Sequence, residues 1–359
     1  MKLYTMIFAM VVALTACSDT SKPADTKSQP ADDAPKASTE AITAEDRALL
    51  EKAQELFKPL PTAKERQGLL LIKDEHIALG HRLYFDERLS KNSNQSCNSC
   101  HDVAKGGVDN LPTSPGSVEG KSGDRNSPTV LNAGLQSSQF WDGRAENLAE
   151  QAKGPLVNPV EMALTDHAHV EQIVSSDPTY VEAFAKAFDD KKVSIDNIAT
   201  AIASYEEMLL TPSAWDEYLK GKITALNSQQ RSGLKKFIDH GCTACHVGVN
   251  LGGDTFQKFG LVKGPYWEFT GSKLHDTGRF EVTGKEQDKY SFRVSGLRNV
   301  ADTAPYFHDG SVETLDKAVE IMAKTQLGIE LSSEDISDIV AFLGATSGQV
   351  ESIYQTAPQ

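Results

Sequence analysis

The sequence predicts an all-α fold built from two related domains joined by long loops. Three observations carry this. A C-x-x-C-H unit occurs twice, at Cys97–His101 and Cys242–His246, each followed by a Gly-Gly pair five or six residues on. A second set of landmarks recurs in the same order behind each unit. Apolar residues fall at helical spacing, and no long alternating strand pattern appears.

Taken in order, the chain opens with Lys2 and an apolar run from Leu3 to Ala16. That run is too short for a stable membrane span and reads as an export signal. "LTAC" (Leu14–Cys17) resembles a bacterial lipobox. The resemblance implies that residues 1–16 are removed and that Cys17 becomes an acylated N-terminus; a plain signal with a chance cysteine is the alternative. Ser18 in place of Asp implies, by the rules of lipoprotein sorting, a tether to the outer membrane from the periplasmic side. Residues 17–40 are rich in Ser, Thr, Pro, Ala, Asp and Lys and hold no large apolar side chain. Such a segment cannot offset its ordering entropy and reads as a flexible tether. The rest of the chain divides into an N-terminal domain, 41–211, and a C-terminal domain, 212–359. A net charge of −14 argues against a nucleic-acid partner, which requires a surplus of Lys and Arg.

Three helices stand out. "SIDNIATAIASYEEMLL" is apolar-periodic and ends near Pro212. "NSQQRSGLKKFIDHG" leads into the second cysteine motif, with Asn227 or Ser228 as its cap. "SSEDISDIVAFLGATSG" has a Ser-x-x-Asp start at Ser332 and an apolar face of Ile336, Ile339, Val340 and Leu343. Residues 104–129 and 247–272 are Gly/Pro-rich loops, long enough to suggest function.

The chain has five cysteines. Apart from Cys17, all lie in the two motifs: Cys97, Cys100, Cys242 and Cys245. An exported location permits disulfides, but a disulfide framework does not require His101 and His246 next door. A zinc site is disfavoured because the two pairs stand too far apart in the chain for a compact zinc module. The spacing matches covalent attachment of haem c, with the thiols bonded to the vinyl groups and His101 and His246 as proximal iron ligands. The fold class is therefore two cytochrome c-like haem domains related by internal duplication.

The landmarks behind each motif support the duplication. Arg-Asn occurs at Arg125-Asn126 and Arg298-Asn299, and Asp-Gly after an aromatic pair at Asp142-Gly143 or after Phe-His at Asp309-Gly310. Glu146 and Leu148 answer to Glu313 and Leu315. The sixth iron position decides between electron transfer and chemistry. Only one methionine follows Cys242, Met322, so it is the candidate ligand of the second haem, with His275 and His308 as competitors. A methionine on a helix is ordinarily core. Thirteen residues past Asp309 stands Met322; thirteen past Asp142 stands Pro155. Nearby, in "NPVEM", Glu161 is a candidate to move a proton beside an open haem, or else a solvated surface carboxylate, and Met162 is an alternative ligand. Trp141 takes the place of His308 and is a candidate relay between the haems, or a packed core residue.

These stretches, from "SCNSCH" through "QFWDGRAENLAEQAKGP" and "NPVEM" to "GCTACHVGVNLGG", "APYFHDG" and "IMAKTQLG", resemble the bacterial dihaem cytochrome c peroxidases over residues 42–348. The resemblance implies a periplasmic enzyme that reduces hydrogen peroxide to water. Electrons would come from a small cytochrome c or copper protein, enter at the C-terminal haem and pass to the N-terminal one. It implies a peroxidatic pocket holding Glu161 and Gln151, and an inter-haem Trp141. It implies one calcium ion bound by Asn126 and the carbonyls of Thr303 and Pro305, His308 in a loop at the haem–haem interface, and a homodimer. One departure stands out. Many members carry a capping histidine in the loop between Gly-Gly and Arg-Asn, but no histidine occurs here between His101 and His167. The oxidised N-terminal haem is therefore expected to be open or only water-bound, with His167 and His169 as conceivable substitutes. Two rival readings are a dihaem electron carrier without peroxidase activity and a tryptophylquinone-maturation oxidase on the same scaffold. The latter type resembles this chain but carries tyrosine where Met322 stands.

Overall fold

The computed structural model describes residues 41–358; the expected signal, Cys17 and tether lie outside the described residues. Residues 42–359 form one unit. Among the described residues no helix is long and apolar enough to cross a membrane. Helices dominate. The described sheet is a two-stranded antiparallel pair, Phe256–Lys258 with Ser291–Arg293, in the register Phe256 to Arg293.

The three expected helices form as Ile195–Glu206, Ser228–Asp239 and Ser333–Gly344. Ser194, Asn227 and Ser332 cap them through their side chains, the last two in reciprocal capping boxes with Gln230 and Asp335. Such a cap contributes about 1 kcal/mol. The buried face of Ser333–Gly344 is centred on Ile339, Phe342 and Leu343, with Ile336 and Val340 only half-buried. Phe342 rotates the stripe because its ring fills the gap between Trp215, 5.2 Å away, and Phe237 at 5.5 Å.

Each cysteine motif is preceded by a helix that crosses a later one at a glycine. In the first half Asp74–Tyr84 crosses Ile195–Glu206 at Gly80, where a Cβ would stand 1.8 Å from the Ala201 carbonyl oxygen. In the second half Ser228–Asp239 crosses Ser333–Gly344 at Gly233, where a Cβ would stand 1.8 Å from the Asp338 oxygen. Only glycine permits either approach.

The helices enclose separate cores. One gathers Leu83, Tyr84, Leu156, Ile198, Ile202 and Tyr205. Another gathers Phe57, Trp215, Leu234, Phe237 and Phe342. A third, beside the strands, holds Phe259, Tyr266, Phe292 and Tyr306. Each large apolar side chain so buried contributes about 1.5–3 kcal/mol.

Two arms cross the expected 211/212 boundary. The helix Ala44–Leu56 delivers Ala53 and, just beyond its end, Phe57 to the second core, where Phe57 meets Trp215 edge-on at 5.3 Å. The C-terminal tail delivers Val350 and Tyr354 to the first core, and the Tyr354 carbonyl accepts from Tyr205 Oη at 2.6 Å. The first arm is locked by Asp216, which accepts from Leu60 N–H at 2.7 Å and from both terminal nitrogens of Arg298, at 3.0 and 2.9 Å. Arg298 and Asp216 are both fully buried.

Candidate functional site

The first motif is a single helical turn, Cys97–Cys100, whose start is held by Ser99 Oγ accepting from Ser96 N–H at 3.0 Å. The second is a 3-10 turn, Cys242–Ala244, entered through Gly241. In each, the histidine N–H donates back to the first cysteine carbonyl, at 3.0 Å for His101 and 3.1 Å for His246. Tyr84 Oη adds a 2.8 Å bond to the His101 carbonyl. All four thiols are unbridged. Burial pushes them up, Cys100 and Cys242 to about 11.

His246 Nδ1 lies 3.0 Å from the Leu251 carbonyl oxygen, a contact that fixes the proton on Nδ1 and leaves Nε2 as the metal-facing lone pair. The carbonyls of Pro128 and Gly107 lie against the His101 ring, yet its Nδ1 is buried without a hydrogen bond of normal geometry. Burial pulls both imidazoles below their ordinary pKa, favouring the neutral, iron-binding form. Paired free thiols with an adjacent buried imidazole fit haem c at both motifs.

Downstream, two segments, one in each half, share a backbone trace. Asn132 and Asn299 both adopt left-handed φ of 59° and open 3-10 turns at Ala133–Leu135 and Val300–Asp302. Phe140 (φ 67°) and Phe307 (φ 71°) are again left-handed. The antiparallel bridges Gln139 to Ala145 and Tyr306 to Val312 close the two loops. The helices Leu148–Val157 and Leu315–Met322 follow, capped by Asn147 and Thr314. This trace corrects one alignment made from the sequence. Arg125-Asn126 does not answer to Arg298-Asn299; Leu131-Asn132 does, because the left-handed asparagine, not the arginine, begins the turn.

The same offset puts Pro155 opposite Met322. Met322 ends its helix and is followed by a π turn, Ala323–Leu327, an irregularity frequent at functional sites. It is half-buried beside the core of Phe259 and Tyr266. The two competing histidines are engaged elsewhere. His308 stacks on Phe292 at 4.1 Å with Nε2 3.3 Å from Tyr266 Oη, and His275 stacks on Trp267 at 4.2 Å.

Pro155 lines a cavity of about 240 Å³ together with Phe140, Arg144, Asn158 and Glu161. Glu161 Oε1 accepts from Asn158 Nδ2 at 2.8 Å. Burial pushes its pKa up; Arg144 and the Asn158 bond oppose that rise. Arg144 is held over the Phe140 ring, 3.4 Å from its centroid, and pairs with Asp142 at 2.9 Å. The backbone carbonyl of Glu161 accepts from Ser117 N–H at 2.7 Å, so the 104–129 loop is fastened to this wall. Gln151 sits one turn before Pro155 on the same helix and is not part of the cavity lining. Met162 is buried in the first core. His167 Nε2 is 3.1 Å from the Lys153 carbonyl oxygen, and His169 lies on the helix His167–Ser175.

Trp141 Nε1 donates to the Asn126 carbonyl at 2.8 Å, and Asn126 N–H donates to the His308 carbonyl at 2.8 Å. Trp141 and His308 are 6.5 Å apart, centroid to centroid. Burial lowers the His308 pKa. Arg125 braces this junction by pairing with Asp142 and, at 2.6 and 2.8 Å, with Asp276. Asn126 thus touches the loop that holds Thr303 and Pro305. Among the described residues neither of those carbonyls accepts a hydrogen bond. An amide oxygen and two free carbonyls are donors of the kind a hard cation takes.

The sequence reading missed several buried polar residues near these sites. Glu206, adjacent to Glu207, has its Oε2 unpartnered. Arg293 lacks a partner at Nη1. Thr211 bridges two asparagines. None carried a motif that could have singled it out.

Residues 74–224 match a family described as di-haem cytochrome c peroxidase. The chain is 52% identical over 305 residues to a cytochrome c551 peroxidase of Pseudomonas aeruginosa, covering 84% of this chain and 87% of that one. It is 48% identical over 271 residues to a cytochrome c551 peroxidase of Nitrosomonas europaea, covering 75% and 79%. A methylamine utilization protein MauG of Paracoccus denitrificans is 34% identical over 301 residues, covering 72% and 77%. Among solved structures, a MauG-like protein associated with microbial copper homeostasis superposes with a TM-score of 0.71 at 28% identity, covering 80% of this chain and 94% of that one.

Proposed function

This chain belongs to the di-haem cytochrome c peroxidase family, oxidoreductases acting on peroxide, and from that premise we propose a division of labour between its two halves. The N-terminal half reduces hydrogen peroxide to water, and the C-terminal half stores and delivers electrons. The overall reaction consumes one peroxide, two protons and two electrons and yields two waters. The observation that carries this reading is the pair Pro155 and Met322. One half offers a thioether, and the other, at the equivalent helix position, offers a proline beside a cavity and a buried carboxylate.

Haem c at each motif would be held by Cys97, Cys100 and His101 or by Cys242, Cys245, His246 and Met322, and when bound it supplies the iron for O–O cleavage and for electron storage. The chain's own residues manage the proton. Glu161, as carboxylate, takes the proton from one peroxide oxygen and returns it to the departing oxygen. Asn158 fixes which carboxylate oxygen is free, and Arg144 opposes the rise in pKa that burial causes. Gln151, expected in this pocket, lies one turn earlier on the helix and outside the cavity lining, so no contact with peroxide is assigned to it. The walls of Phe140 and Pro155 limit competing water.

Trp141 is the proposed electron relay, held by its bond to Asn126 and facing His308. A calcium ion bound by Asn126, Thr303 and Pro305 would stiffen this junction. The matched traces of the two halves support an internal duplication. No histidine occurs between His101 and His167, and the loop in that interval is fastened at Ser117. This supports a resting N-terminal haem without a protein cap. A periplasmic location with a lipid at Cys17, a small cytochrome c or copper-protein donor entering at the C-terminal haem, and a homodimer complete the proposal.

The test is steady-state peroxide turnover and the oxidised-state spectrum, with haem content measured alongside. Glu161→Gln should keep two haems per chain and lose most turnover, and the parent should show a high-spin ferric signal. Undiminished turnover in the variant would remove Glu161 from the reaction, and two low-spin haems in the parent would remove the uncapped resting state.

A further inference from the structure

Arg293 is 4% exposed, and its Nη1 is buried with no hydrogen-bond partner among the described residues. Its Nε donates weakly to the Phe140 carbonyl at 3.3 Å. Among the described residues no carboxylate acts on it, and burial pulls its pKa down to about 10. The buried Arg298 and the half-buried Arg125 differ. Arg298 is forked onto Asp216, and Arg125 is clamped between Asp142 and Asp276. A buried guanidinium without a counter-anion is strongly unfavourable, so an arginine kept here implies an anion in the assembled protein.

The surroundings identify that anion. On one side Arg293 N–H donates to the Trp141 carbonyl at 2.8 Å. On the other, the strand runs on through Val294, whose carbonyl accepts from Gly253 N–H at 2.9 Å, to Ser295, whose carbonyl faces the His246 ring. Arg293 therefore lies where the Trp141 loop meets the loop of the second cysteine motif. Haem c brings two propionate carboxylates, fixed in place by its thioether bonds.

We propose that Arg293 is the counter-charge for a propionate of the haem held at Cys242, Cys245 and His246. The site takes a carboxylate through the planar guanidinium, with Nη1 as a charge-assisted donor. This inference rests on the reading of the second motif as a haem c site. Because the same residue is bonded through its backbone to Trp141, it ties the edge of the C-terminal haem to the proposed relay. A positive charge beside the propionate disfavours the ferric state, which raises the reduction potential of that haem.

The experiment uses the full haem-loaded chain. Intact mass establishes how many haems the parent carries. Potentiometric titration then resolves the two couples in the parent, Arg293→Gln and Arg293→Lys. Resonance Raman of the half-reduced parent in H₂O and D₂O reads the propionate-bending mode of the ferrous C-terminal haem. The expected result is a deuterium-sensitive propionate mode in the parent, a downward shift of the higher couple in Arg293→Gln, substantial recovery in Arg293→Lys, and an unmoved lower couple. A parent without haem at Cys242 and Cys245 overturns the haem reading and this inference together. A fully loaded parent with a deuterium-insensitive mode overturns the inference alone, even if the Gln variant fails to load. So does a shift confined to the lower couple, or no shift in a loaded Gln variant.

Discussion

Asn132 and Asn299, from opposite halves of the chain, meet at one hydroxyl. Asn132 Nδ2 donates to Thr211 Oγ1 at 2.7 Å, and Thr211 Oγ1 donates to Asn299 Oδ1 at 2.5 Å. Thr211 N–H closes the set by donating to Asn132 Oδ1 at 3.1 Å. All three residues are buried, so the corresponding turns of the two halves are joined at a dry, satisfied polar point.

Thr211→Val tests that joint. It preserves shape and strands one amide donor and one amide acceptor. Each buried unsatisfied group costs roughly 1–3 kcal/mol, so urea unfolding should show a loss of about 2–6 kcal/mol. A loss below ~0.5 kcal/mol would mean that water replaces the hydroxyl.

Glu161→Gln should reduce kcat by about 10²–10⁴, the usual range for a lost acid/base group. In the parent, kcat/KM should rise with pH through a limb above the ordinary carboxylate range, because burial pushes the Glu161 pKa up and the base form is required. Arg144 holds that pKa down, so Arg144→Gln should move the limb to higher pH. A limb that stays put would detach it from Glu161.

The Pro155–Met322 equivalence makes a paired prediction. Met322→Ala should abolish the near-infrared band of methionine–haem ligation and lower the potential of one couple. Pro155→Met should place a thioether at the matching point of the first half, giving a second low-spin haem and suppressing peroxide reactivity. A persisting high-spin signal with normal turnover would show that the two helix positions are not functionally equivalent.

Glu206 predicts a pH-dependent stability change. Burial raises its carboxyl from the usual 4.5 to about 8, with the Glu207 carboxylate adding to the rise. The folded state therefore holds a proton that the unfolded state has lost. Stability falls as pH rises from about 4.5 to about 8, by up to roughly 5 kcal/mol at ~1.4 kcal/mol per unit. Glu206→Gln should match the parent at pH 4 and exceed it at pH 8 in thermal unfolding of the haem-loaded protein; equal stability at both would place the proton elsewhere.

What the sequence disclosed followed from local rules. Apolar periodicity located Ile195–Glu206, and caps before such runs located Ser228–Asp239 and Ser333–Gly344, because a cap and its helix are neighbours in the chain. The C-x-x-C-H units were legible for the same reason. The thirteen-residue count from Asp-Gly located Met322 and Pro155 because that segment keeps a constant offset. The Arg-Asn landmark misled, since a left-handed φ belongs to Asn132 and Asn299 and not to any residue pair. Arg293, Glu206 and Thr211 were invisible because each owes its character to burial by segments distant in the chain, and burial leaves no local signature.

The exchange of terminal arms has its own consequence for biogenesis. Phe57 closes the later half, while Val350 and Tyr354 close the earlier one. Neither half can reach its finished interior in the order in which the ribosome makes it: the earliest globular segment waits for its partner, and the first interior stays ajar until the final residues arrive. Fragments separated at Thr211 should each expose a greasy seam, and mixing them should restore solubility in a way that neither shows alone.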